Sequence, residues 1–95
     1  MPAYVIGDVT INDPDGYAEY AKANTQTVPE FGGRFLVRGG EHEVAEGDWE
    51  PGRLVVIEFP SMQQLLAWWS SDRYQAAAEI RRANSTGSIV FVEGA

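Results

Sequence analysis

The sequence predicts an α+β domain: one four-stranded antiparallel sheet with helices packed on one face. Three observations predict it. The chain has 95 residues, which is room for a single core. Four segments carry strand patterning, and the stretches between them carry helical spacing. The elements fall in the order β-α-β-β-α-(α)-β, so two β-α-β halves share one small chain.

Residues 3–11, Ala-Tyr-Val-Ile-Gly-Asp-Val-Thr-Ile, alternate and are rich in β-branched side chains, as a strand requires. Asn12-Asp13-Pro14 stops it. Asp13 can cap a helix, and Pro14 suits its first position because the missing N–H would be unpaired there anyway. Tyr17, Tyr20, Asn24, Val28 and Phe31 recur at helical spacing until Gly32-Gly33 ends the helix. Residues 34–38 form a second strand, broken by Gly39-Gly40. Glu41 to Val44 suits a short edge strand, and residues 46–52 are a loop by composition. Residues 53–59, Arg-Leu-Val-Val-Ile-Glu-Phe, are the strongest strand. Ser61-Met-Gln-Gln64 is a capping box for a helix whose apolar face holds Leu65, Leu66, Trp68 and Trp69. Ser71 or Asp72 caps a further helix from about Arg73 to Ala83, Gly87 closes a connection, and residues 88–93 form the last strand. This is the ferredoxin-like arrangement. Right-handed crossovers are expected to set the first and third strands side by side and parallel in the centre.

Composition excludes several function classes. The 44% hydrophobic content is globular and argues against disorder as the main state. Without cysteine there is no disulfide framework, thiolate metal site or cysteine nucleophile, and one histidine cannot build a His-rich metal site. A formal charge of -7 disfavours nucleic acid and anionic membranes as partners. No apolar run approaches the roughly 20 residues of a membrane span. The N-terminus lacks the basic-then-apolar pattern of a signal peptide, so a cytoplasmic protein is expected. No metal and no cofactor is called for.

Strand alternation sorts the sheet residues. Val5, Val9, Ile11, Phe35, Val37, Val55, Ile57 and Phe59 are expected to meet the helices. Tyr4, Ile6, Asp8, Thr10, Arg34, Leu36, Arg38, Leu54, Val56 and Glu58 are expected on the other face. That second face is too apolar to leave wet, and the simplest cover is a second copy packed sheet to sheet. With parallel central strands, Asp8 and Glu58 would lie at one end, beside Arg34 at the start of its strand, while Arg38 lies at the other. Two nearby carboxylates raise one pKa and give a general acid or base, and an arginine holds an enolate oxygen. Asp8, Glu58 and Arg34 are therefore the candidate catalytic group. The competing reading makes them structural ion pairs that set dimer register.

Candidate ligand contacts are Tyr20, Asn24, Arg38, Trp49, Trp68 and Tyr74. Tyr20 and Asn24 share a helix face with Tyr17 and could offer polar groups in a gap between helix and sheet; otherwise their rings pack and their polar ends reach water. Trp68, Trp69 and Tyr74 crowd one helix junction, where aromatics are usually core. Trp49, in a Gly/Pro-rich loop, suits a lid or an interface anchor. His42 sits in the Gly- and Glu-rich segment 40–43, poorly placed as a proton shuttle or haem ligand. Arg81-Arg82 suits a solvated helix surface. The glycine pairs are not a phosphate loop, and Glu46 with Asp48 lacks calcium-loop spacing.

Over nearly its full length the sequence resembles the bacterial proteins grouped as domain-of-unknown-function family 1330. The resemblance is carried by Ala3-Tyr4-Val5-Ile6, by Asp13-Pro14 before Tyr17 and Tyr20, and by residues 32–40, Gly-Gly-Arg-Phe-Leu-Val-Arg-Gly-Gly. It continues through Glu46-Gly47-Asp48-Trp49, residues 53–60, Trp68 with Tyr74-Gln75, and Val92-Glu93-Gly94. It implies the dimeric α+β-barrel superfamily, whose members include cofactor-independent monooxygenases, muconolactone isomerases, chlorite dismutases and haem-degrading enzymes. It implies no particular activity. The expected protein is thus a homodimer whose paired sheets enclose a cavity for a small organic ligand with a carbonyl or phenol-like group. Three functions remain open: a cofactor-independent acid/base enzyme, a non-catalytic binding or accessory protein, and a structural dimer with a filled interior.

Overall fold

The computed structural model describes residues 1–95. Seven elements follow in order: β1 (Ala3–Ile11), α1 (Pro14–Glu30), β2 (Arg34–Arg38), β3 (Arg53–Phe59), α2 (Met62–Ser70), α3 (Asp72–Asn84) and β4 (Ser85–Glu93). Local chemistry sets the helix starts. The Asp13 carboxylate accepts from the backbone N–H groups of Asp15 and Gly16, Ser61 accepts from Gln64, and Ser71 accepts from Tyr74. Each cap satisfies donors that the first helical turn cannot pair internally. At the other end of α1, Gly32 adopts a φ of 81°, and Gly33 donates back to the Val28 carbonyl.

The four strands form one sheet in the order β2-β3-β1-β4. Every neighbouring pair is antiparallel, including β1 and β3 at the centre. The expected parallel pairing of those two strands is therefore corrected. In a split β-α-β unit the parallel partners are one strand apart, and the strand inserted between them runs the opposite way. The helices cover one face only, and the molecule measures 33 × 32 × 17 Å, a slab about one sheet and one helix thick. Between the layers lies the core, with Phe59, Leu65, Trp68, Tyr74 and Val28 fully buried. The Trp68 ring stacks 4.0 Å from Tyr74 and 5.2 Å from Phe59, and its indole N–H donates to the Thr27 hydroxyl at 3.2 Å.

Three details depart from the sequence expectations. The register of β2 on β3 shifts between Phe35 and Val37, so Val37 pairs with Val56 and Arg38 with Val55. This bulge moves Arg38 to the helix face and Val37 to the open face, the reverse of strict alternation. Helix α3 runs straight into β4, which begins at Ser85. Gly87 is thus within a strand: a Cβ there would stand 2.0 Å from the Asp8 carbonyl oxygen, so glycine is required by close approach of β1. Residues 41–44 form no strand. No helix is long and apolar enough to cross a membrane.

Candidate functional site

A cavity opens between the sheet and helices α1 and α3. Its floor is apolar, made by Val5, Val9, Val55, Ile57 and Ile89. Gly7 lies at the centre of that floor, where a Cβ would stand 3.3 Å from Ile89 Cδ1 and 3.8 Å from Val55 Cβ. A larger residue there would fill the space, so the glycine keeps the cavity open. The volume open to the centres of water molecules is about 30 Å³, and a cavity needs roughly 10–15 Å³ on that measure to hold one water. The side chains are therefore not packed solid.

Polar groups reach this cavity from every wall. From α1 come Tyr17, Tyr20 and Asn24, and from α3 come Tyr74 and Arg81. Tyr20 and Tyr74 are buried, with their hydroxyls 3.1 Å apart. Burial first, then the neighbouring Tyr74, pushes the Tyr20 hydroxyl well above the ordinary tyrosine range. Asn24 Oδ1 accepts from the Thr27 hydroxyl at 3.1 Å. Arg53, at the start of β3, donates to the Tyr17 hydroxyl at 3.3 Å. Arg38, turned inward by the bulge, is held by the Ala21 carbonyl at 2.9 Å and by the Thr25 hydroxyl, with its guanidinium 4.4 Å from the Phe35 ring centre.

The candidate catalytic group does not assemble. Glu58 pairs with Tyr4 across β1 and β3, whereas Asp8 pairs with Leu54 at the far end of the same ladder. The antiparallel pairing separates the two carboxylates. Arg34 does meet Glu58, Nε to Oε1 at 2.7 Å, and the Tyr4 hydroxyl donates to the other Glu58 oxygen at 3.1 Å. These contacts, the Arg34 bond foremost, hold the Glu58 carboxyl below its ordinary range, and the bond to Glu58 raises the Tyr4 hydroxyl. Asp8 accepts the Trp49 indole N–H at 2.7 Å and the Gly52 backbone N–H at 2.8 Å. The Trp49 bond, then Gly52, pulls the Asp8 carboxyl down. Both groups lie on the open sheet face, outside the cavity.

Of the expected ligand contacts, Tyr20, Asn24, Arg38, Trp68 and Tyr74 line the cavity together. Tyr20 and Asn24 do not send their polar ends to water, since both are buried. Trp49 is 57% exposed and fastens the 39–52 segment to Asp8, so it is no lid on this cavity. His42 is exposed in that same segment. This cavity lies on the helix side of one sheet, a different place from the expected cavity between two paired sheets. No group of three or more His, Asp or Glu side chains is arranged to hold a metal.

Sequence reasoning missed Gly7, Arg53 and Arg81. Arg53 is in phase with Val55, Ile57 and Phe59, a charge on the buried alternation. Arg81 follows Tyr74, Ala77 and Ala78 at helical spacing, so it belongs to the inner face of α3 and not to the solvated surface assigned to it.

Residues 2–95 match the family described as Domain of unknown function (DUF1330). The chain belongs to that family. Among solved structures, a protein of unknown function from Rhodopseudomonas palustris is similar, with a TM-score of 0.79 at 18% identity, covering 99% of this chain and 82% of that one. A dimeric ferredoxin-like protein of unknown function from a Jannaschia species has a TM-score of 0.65 at 16% identity, covering 97% and 96% of the two chains. SnoaB, a cofactor-independent oxygenase from Streptomyces nogalater, has a TM-score of 0.60 at 15% identity, covering 99% and 93%. These likenesses show a shared fold. No curated protein matches the chain.

Proposed function

We propose that this DUF1330 protein is a sheet-to-sheet homodimer in which each protomer binds a small organic molecule in the cavity between α1, α3 and the sheet. The observation that carries this reading is the cavity itself: an apolar floor kept open by Gly7 under a rim of tyrosine, asparagine and arginine side chains. A few fixed polar groups over apolar walls are what small-molecule sites use for orientation. Dimerisation is supported by the open face, where Leu36, Val37, Val90 and Val92 are exposed, and by the dimeric Jannaschia protein of the same fold.

A second reading is a cofactor-independent enzyme, favoured by the fold shared with SnoaB. No aspartate, glutamate or histidine lines the cavity, so Asp8 and Glu58 would not serve there as the base. Such an enzyme would act through hydrogen bonds and guanidinium charge that stabilise an enolate-like substrate. The test of the binding reading is a thermal-shift screen of small metabolites on the wild type and on Gly7→Leu. Binders are expected to raise the melting temperature of the wild type alone. Equal shifts in both proteins would place the binding elsewhere and overturn the reading.

A further inference from the structure

The chain carries 14 acidic residues and only 7 lysines and arginines. Three of those seven, Arg38, Arg53 and Arg81, line one cavity with no carboxylate among them. The only two ion pairs, Arg34 with Glu58 and Arg73 with Glu30, lie elsewhere. In so acidic a chain carboxylates are abundant, yet none neutralises this cluster. Arg38 is exposed, but Arg53 and Arg81 are half-buried, and a guanidinium partly withdrawn from water without a counter-charge is costly. Arg81 shows the cost most directly: its Nε is buried and has no hydrogen-bond partner within the protein. Its guanidinium stands 5.9 Å from the Tyr20 ring centre and 6.0 Å from that of Trp69, so its near neighbours are two aromatic rings and no carboxylate.

We infer that the cavity, with room for only a few heavy atoms, takes a small anion, a short-chain carboxylate, with Arg81 and Arg53 as the anion-binding residues and Arg38 at the mouth. The inference rests on the binding reading above and adds the charge of the ligand. Arginine suits this role because its planar fork meets both oxygens of such a group. The short apolar end would lie over Gly7, against Val55 and Ile89. Asn24 and the Tyr20–Tyr74 pair would border it without contributing charge.

Amide-proton NMR with matched probes tests the inference: formate against formamide, and acetate against acetamide, at constant pH and ionic strength. The anion of at least one pair is expected to shift the Gly7 amide and the Arg53 and Arg81 side-chain signals, binding about tenfold more tightly than its amide, as a charge-assisted hydrogen bond implies. Arg81→Gln and Arg53→Gln should each abolish that preference while leaving amide binding in place. Arg81→Lys, which keeps the charge but loses the Nε donor, should retain part of it. If either glutamine variant fails to fold, the other reads the same preference. Equal binding of anion and amide would overturn the anion assignment and leave the cavity as a site. Shifts confined to other residues, or none from any probe at millimolar concentration, would overturn both.

Discussion

The hydroxyls of Tyr20 and Tyr74 meet at 3.1 Å across the interior, although the two residues stand 54 positions apart. Their rings cross nearly edge to face with centroids 6.4 Å apart, so one contact ties α1 to α3 and borders the cavity. Tyr74→Phe would leave the buried Tyr20 hydroxyl without its partner. A loss of about 1–3 kcal/mol in urea unfolding is expected, the usual cost of orphaning a buried polar group. Unchanged stability would mean that Tyr20 finds water or another acceptor at once.

The same pair sets behaviour in alkali. Burial raises the Tyr20 hydroxyl above its ordinary value, so the folded protein holds that proton more tightly than the unfolded chain does. The stabilisation is complete below the unfolded tyrosine value of about 10 and is lost as pH rises beyond it. Unfolding free energies measured on both sides of that value should therefore fall steeply on the alkaline side, and Tyr20→Phe should flatten the slope. A slope indifferent to this substitution would assign the loss to other groups.

Gly7 gives a prediction of opposite sign. A Cβ at that position meets the flexible end of Ile89 at 3.3 Å, with Val55 Cβ at 3.8 Å and the Val55 carbonyl oxygen at 4.0 Å in ordinary contact. Gly7→Ala should hold or raise stability by about 0.5–1 kcal/mol, because it restricts the unfolded chain and fills empty space. It should weaken binding of any ligand seated on the cavity floor. Urea midpoints and ligand titration of the same variant check both statements. A destabilised variant would mean that Ile89 has no room to shift.

Most of the fold was legible in the sequence because its signals are local. Asp13-Pro14, Ser61 and Ser71 cap helices through their own neighbours, and strands β1, β2 and β3 begin and end where the patterning does. What failed was non-local. The direction of β1 relative to β3 depends on which strand is inserted between which, and that one error moved Asp8 to the same end as Glu58. The bulge that turns Arg38 inward leaves no mark in a five-residue strand. Gly87 resembles a turn in sequence and is a close approach in space. The tyrosines and Asn24 were found as a face, while Arg53 and Arg81 were passed over because charged side chains are usually solvated.

Asp8 governs the loop beside it. Its two oxygens accept separately from the Trp49 indole and the Gly52 backbone, and these bonds depress its carboxyl. The clamp is fully present above the unfolded aspartate value of about 3.9 and is released as pH falls through the lower folded value. Asn at this position offers one acceptor oxygen in place of two. Asp8→Asn should therefore free one of the two contacts at neutral pH. Faster amide hydrogen exchange across residues 40–52 and a changed Trp49 fluorescence are expected, with little effect on the exchange of Val5 or Ile57. Uniform exchange across the chain would mean that Asp8 supports the whole sheet instead.

The open sheet face has an apolar centre and a polar rim. Val56, Ile6 and Val90 form a row between two satisfied carboxylates, with Val92 in the row of Glu58, bonded to Arg34 and Tyr4, and Leu54 in the row of Asp8, bonded to Trp49 and Gly52. Such a layout suits a partner, since the apolar centre can be buried while the charges keep their own hydrogen bonds. Val90 is 54% exposed and Val92 43%, so neither is needed for the core of one protomer. Val90→Asp and Val92→Asp should therefore leave the far-ultraviolet spectrum unchanged. On a two-fold face each substitution enters twice, and an unpaired buried carboxylate costs several kcal/mol, so the dissociation constant should rise by at least about a hundredfold. Sedimentation at micromolar concentration is expected to give a dimer for the wild type and a monomer for the variants. A wild type that sediments as a stable monomer would remove the second copy as the cover of this face.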